Sequence, residues 1–231
     1  MKSEGDRHLT LMKAEIDRYG DKLRIAATSF TEVQKATISR KIGAVDQLWS
    51  VVRRAKAKMP EVIAMTGLTT DEELADLSQS SEIRSMASAL LAINPVAVAD
   101  ELFDDADEAR PHVGEFTWAL FSTYQGLLSR AIYLLCGDTA SSDRRWYRDG
   151  TILRLITSVF GQAKFEEFTQ LQGHQLSWIQ VEFERELFAA FDNLLTGKAF
   201  SAAALRQAVE MEHLVAAVQD EYKSVKLHSN P

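Results

Sequence analysis

The chain has 231 residues, of which 46% are hydrophobic and 26% charged, and a formal net charge of −7 at neutral pH. That is the composition of an ordinary globular protein, long enough for one large domain or two small ones. A single cysteine, Cys136, excludes an intrachain disulfide and a cysteine-based zinc site, while eleven Gly and four Pro leave room for few turns and favour long helices.

The first residues, Met1 to His8, carry charges where a signal peptide needs an apolar core. The most apolar stretch, residues 116–136, contains Gln125, Arg130 and several hydroxyls. A membrane span needs about 20 predominantly apolar residues, so this stretch reads as a buried helix, with the cytoplasm as the default location and no membrane partner. Charge is unevenly distributed. Residues 1–59 hold 13 Lys and Arg against 7 Asp and Glu, a balance of +6, and the remainder holds 13 against 26, a balance of −13. A basic arm on an acidic body favours self-association or docking on an acidic surface.

Along residues 1–59, Leu9, Met12, Ile16, Tyr19, Leu23, Ala26, Phe30, Val33 and Thr37 step by three and four in alternation. This is a sustained heptad pattern, and it predicts a coiled-coil-like helix that self-associates into a homo-oligomer. After Thr37 the pattern reads as slipping by one residue and resuming through Ile38, Ile42, Val45, Trp49 and Val52. Met59-Pro60 ends the helix, and Gly20 and Gly43 are its weak points. About 50 residues at 1.5 Å each give roughly 75 Å, so part of it should project.

Residues 60–225 form a helical bundle. Thr70-Asp71-Glu72-Glu73 fits a capping box opening a short helix. A second helix near residues 82–93 stops at Asn94-Pro95, which caps a third reaching about Arg110. The carboxylates Asp100, Glu101, Asp104, Asp105, Asp107 and Glu108 lack calcium-loop spacing and read as a solvated face. Phe116, Leu120, Tyr124, Leu127, Ala131 and Leu135 mark a deeply buried helix stopped by Gly137. An irregular segment over 138–150 follows, mixing Arg144, Arg145 and Arg148 with Trp146 and Tyr147, as nucleic-acid surfaces do; the preferred reading is that the two aromatics anchor it to the body. Then come helices near 151–160, 163–195 and 201–225, and an unstructured tail over 226–231. The fold class is therefore all-α: a long N-terminal helix followed by a bundle of about six helices.

Glycine-rich phosphate loops, a nucleophile elbow and zinc-type clusters are absent. Glu210 and His213 make one Glu-x-x-His, but di-iron bundles need a second copy on another helix, so neither a metal nor a cofactor is expected. Arg206 and His213 lie two helical turns apart, hence on one face, with Glu210 between them. An Arg can stabilise a phosphate's charge while a nearby imidazole moves a proton. In this Arg206-to-His213 spacing, followed at the next position by Gln207, the sequence resembles the HEPN superfamily of all-helical domains over at most residues 113–225. The resemblance implies a metal-independent ribonuclease with Arg206 and His213 as its catalytic pair.

The function expected first is a non-enzymatic interaction or assembly protein. It self-associates through Leu9, Met12, Ile16, Tyr19, Leu23, Phe30 and Val33, with a further protein partner open. The alternatives are the HEPN-like ribonuclease and an accessory nucleic-acid binder whose Lys41, Arg53, Arg54 and Lys56 contact a polyanion.

Overall fold

The computed structural model describes residues 4–58, 67, 69–75, 100, 106–136, 143–198 and 201–228, with side chains left out for most of residues 4–34 and for 221–228. Every regular element among them is helical: α1 (Glu4–Lys58), α2 (Asp71–Ala75), α3 (Arg110–Cys136), α4 (Gly150–Thr169), α5 (Gln175–Thr196) and α6 (Ala202–His228). Two 3-10 turns, Asp107–Ala109 and Trp146–Arg148, precede α3 and α4. The all-α expectation holds. The helix expected near 82–93, most of the one expected over 95–110, and Glu101, Asp104 and Asp105 of the acidic cluster lie outside the described residues.

The chain divides into two compact units, Met1–Ile42 and Gly43–Pro231. The division falls inside α1, so residues 43–58 of the expected arm belong to the second unit, where Ala44, Leu48, Val51, Val52 and Ala55 join its core. α1 continues through both Gly20 and Gly43.

α3 is the central element of the second unit. Residues 117–129 are buried on every side, and α3 packs most extensively against α6 and α5. Leu120, Tyr124, Leu127, Ala131 and Leu135 are all buried as the apolar pattern requires, each large one contributing about 1.5–3 kcal/mol. Gly126 sets the approach of α6: a Cβ there would lie 3.5 Å from Val215 Cγ1. Polar residues inside α3 bond within the helix where they can. Ser122 and Thr123 both donate to the Ala119 carbonyl, at 3.1 and 2.7 Å.

The capping box is present. The Thr70 amide donates to Glu73 Oε2 at 2.8 Å and the Glu73 amide to Thr70 Oγ1 at 3.3 Å. The segment before α4 is anchored by its aromatics and arginines. Trp146 is buried with its ring against Phe168, the Arg144 amide donates to the Leu74 carbonyl at 2.7 Å, and Arg148 pairs with Asp71 at 2.5 Å. Asp149 opens α4, accepting from the amides of Thr151 and Ile152, both at 3.0 Å.

One expected helix is broken. Residues 163–195 do not form a single helix: α4 ends at Thr169 and α5 begins at Gln175. Between them Gly173 has φ 84° and His174 φ 61°, left-handed geometry that reverses the chain. α4 also bends at Gly161, where φ 75° and ψ 179° interrupt the helical ladder. Beyond the turn, Glu167 and Glu182 share Lys164, at 2.8 and 3.4 Å, and Trp178 donates to Glu167 at 2.7 Å, tying α4 to α5.

Candidate functional site

The expected self-association face is carried by α1. The side chains of Leu9, Met12, Ile16, Tyr19, Leu23, Phe30 and Val33 lie outside the described ones, but the helical backbone puts these positions on one face. Described neighbours off that face, Ile25, Ile38 and Ile42, are exposed. Of the positions expected after the slip at Thr37, Val52 is buried in the core, Val45 and Trp49 pack half-buried against it, and Ile38 and Ile42 are exposed. Ala44 and Val51 continue the line of sevens running through Leu9, Ile16, Leu23, Phe30 and Thr37, with Leu48 and Ala55 four residues after each. A straight helix drifts about 20° per heptad, which carries its apolar stripe from the three-residue to the four-residue step. The face of α1 buried in the core is made by Ala44, Leu48, Val51, Val52 and Ala55. Ile38 and Ile42 stand off to its side, Val45 and Trp49 half-buried between.

The exposed Arg206 and His213 share the outer side of α6, whose inner side buries Ala208, Met211, Val215 and Val218. Between them, Glu210 lines an open groove of about 520 Å³ against α4, with Leu153, Arg154, Thr157, Ser158, Phe165 and Leu214. Neither Arg206 nor His213 is among the residues lining it. Gln207 turns inward instead: its Nε2 donates to the carbonyls of Ser158 at 2.7 Å and Val159 at 2.8 Å. Those carbonyls immediately precede the Gly161 bend, so Gln207 braces the bend of α4 from a neighbouring helix.

Of the four cations expected to meet a polyanion, Lys56 pairs with Glu184 at 2.8 Å. Arg53 and Arg54 are exposed near the end of α1, where positive charge complements the helix dipole, and Lys41 belongs to the first unit.

Several ionisable groups are held in structural roles. Burial would raise the Asp149 carboxyl, but hydrogen bonds from Arg130 and from the amides of Ile152 and Thr151 outweigh it and hold it below the usual range. Arg130 grips it in a fork, Nε at 2.6 Å and Nη2 at 2.9 Å. The hydrogen bond from Arg145 brings Asp143 down to about 2. Burial pushes the Cys136 thiol up to about 11, only partly offset by Arg144, which keeps it protonated and unreactive near neutral pH. Among the described residues no group of three or more His, Cys, Asp or Glu is arranged to hold a metal ion, and no helix is long and apolar enough to cross a membrane.

Sequence reasoning missed two features of the surface. One is the α4–α6 groove, which needs the two helices side by side before its lining converges. The other is an exposed apolar stripe on α5, Val181, Phe188 and Leu195, hidden in the sequence because the same helix also buries Phe183, Leu187 and Leu194. No family model, curated protein or solved structure matches this chain.

Proposed function

We propose that this chain is a non-enzymatic helical assembly protein that self-associates through the seam of α1 at residues 9–33. The observation that carries the reading is the heptad row from Leu9 to Val33 on the α1 helix, whose residues up to Ile42 fall in a unit of their own, outside the core that residues 44–55 join. Seven large apolar side chains on that face, buried against a partner, would contribute about 10–20 kcal/mol at 1.5–3 kcal/mol each. That is comparable to or above the ~4–15 kcal/mol that association costs in lost freedom.

The test is Ile16→Asp combined with Leu23→Asp, with mass followed by light scattering and helicity by circular dichroism. The double variant is expected to lose mass relative to wild type while the second unit stays folded. A wild-type oligomer that survives both charges with unchanged helicity would remove the seam from assembly.

A further inference from the structure

The heptad row on α1 has Leu9, Ile16, Leu23 and Phe30 at one core position and Met12, Tyr19, Ala26 and Val33 at the other. Its midpoint is Asp21, and two features of the chain divide there. Gly20 stands in the interior of the helix, where glycine costs helix stability and serves a close approach of another chain segment. Charge also changes sign across the midpoint. Residues 4–20 hold three Lys and Arg against four Asp and Glu, a balance of −1, and residues 22–38 hold three against one, a balance of +2.

We infer that the seam pairs with the seam of a second copy in antiparallel orientation, about a two-fold axis at Asp21, each residue facing the one equally far beyond residue 21. The inference rests on the self-association reading and supplies its geometry. Packing selects this arrangement. Leu9 meets Val33 of the second copy, Met12 meets Phe30, Ile16 meets Ala26 and Tyr19 meets Leu23, so no layer sets a residue against its own kind. Parallel pairing in register does so in every layer, leaving a gap at Ala26 and crowding Tyr19 and Phe30. Gly20 faces Gly20 of the second copy beside the two central layers, where the Tyr19 rings need room. Charge agrees: the acidic half of each arm lies along the basic half of the other, whereas parallel pairing sets like halves together. One like-charge meeting remains, Lys22 with Lys22 across the axis, at an exposed position. Sliding the copies by one heptad brings Glu15 to Lys22 instead, but sets Phe30 against Gly5 and Val33 against Lys2. Burying two large apolar side chains outweighs an exposed ion pair, so the axis stays at Asp21. The same surface serves both copies, and the assembly closes as a dimer.

The experiment puts one spin label on each copy of the full-length chain, at Asp21→Cys in one variant and at Lys35→Cys in another. Both positions are exposed and lie off the seam, and the native Cys136 is buried. Pulsed electron resonance reads the distance between the two labels of a dimer. At residue 21 it is expected to lie within roughly 30 Å, the width of a helix pair with its labels. At residue 35 the two positions stand about 28 residues apart along the pair, ~42 Å, and the labels are expected roughly 50 Å apart. The same short distance at both positions would mean parallel helices and overturn the inference while self-association stands. A residue-35 distance of roughly 40 or 60 Å would move the register by one heptad and overturn the axis at Asp21. Wild type and both variants at 25.9 kDa would remove the self-association reading as well.

Discussion

Asp149 joins two tasks in one side chain, and its replacement should be felt across the second unit. It accepts the Arg130 fork at 2.6 and 2.9 Å and caps α4 through two amides at 3.0 Å. Asp149→Ala removes the cap, about 1 kcal/mol, and leaves a guanidinium that is 12% exposed without its charged acceptor, about 1.5–3 kcal/mol more. The sum, about 2.5–4 kcal/mol, is a large share of a typical stability of ~5–15 kcal/mol. For a chain of this size it corresponds to a melting temperature lower by about 5–15 °C. Asp149→Asn keeps the cap and one bond to Arg130, and should cost about 1–2 kcal/mol. The pH dependence has a definite sign. The folded carboxyl titrates below its unfolded value of about 3.9, so its contribution is full above that pH and is lost as pH falls through the folded value. Urea unfolding followed by circular dichroism, at neutral pH and at a series of acid pH values, measures both effects. An Asp149→Ala midpoint equal to wild type, with the same acid sensitivity, would refute this reasoning.

Three further outcomes follow from the packing and the exposed face of α6. A Cβ at Gly126 meets Val215 at ordinary contact distance, so Gly126→Ala should gain about 0.5–1 kcal/mol of helix propensity, while Gly126→Leu should lose about 1–3 kcal/mol by overpacking. Calorimetric melting of the pair checks the opposite signs. Gln207→Ala abandons the carbonyls of Ser158 and Val159 at the Gly161 bend and should cost about 1–2 kcal/mol, read from the urea midpoint; no change would mean the carbonyls find other donors. RNA incubated with the protein without metal is expected to stay intact. Cleavage abolished by both Arg206→Ala and His213→Ala, in folded variants, would instead establish the ribonuclease alternative.

Much of the fold was legible because the strongest signals are local. The capping box at Thr70 and Glu73 and the apolar row from Leu120 to Leu135 each act within one element. What escaped depended on contacts between elements or on small residues. Of the register expected after Thr37, Val52 joins the core, whereas Ala44, also a core residue, is small enough for periodicity to pass over. The break at Gln170 was masked by Phe168, Leu171 and Leu176, which keep an apolar rhythm across it, although Gly173 was a visible warning. The Arg130–Asp149 fork and the bracing of α4 by Gln207 join residues 19 and 48 or 49 positions apart, beyond the reach of periodicity. Of the candidate surfaces, the seam of α1 could be read directly, since a heptad repeat is written in the chain. The exposed stripe on α5 could not, because its exposed and buried residues alternate within a single apolar helix.

Sedimentation equilibrium of the wild-type chain over a wide range of concentrations tests self-association most directly. A self-associating chain shows a mass above 25.9 kDa that falls towards that value on dilution, as a reversible assembly requires. A single species of 25.9 kDa at every concentration would contradict it.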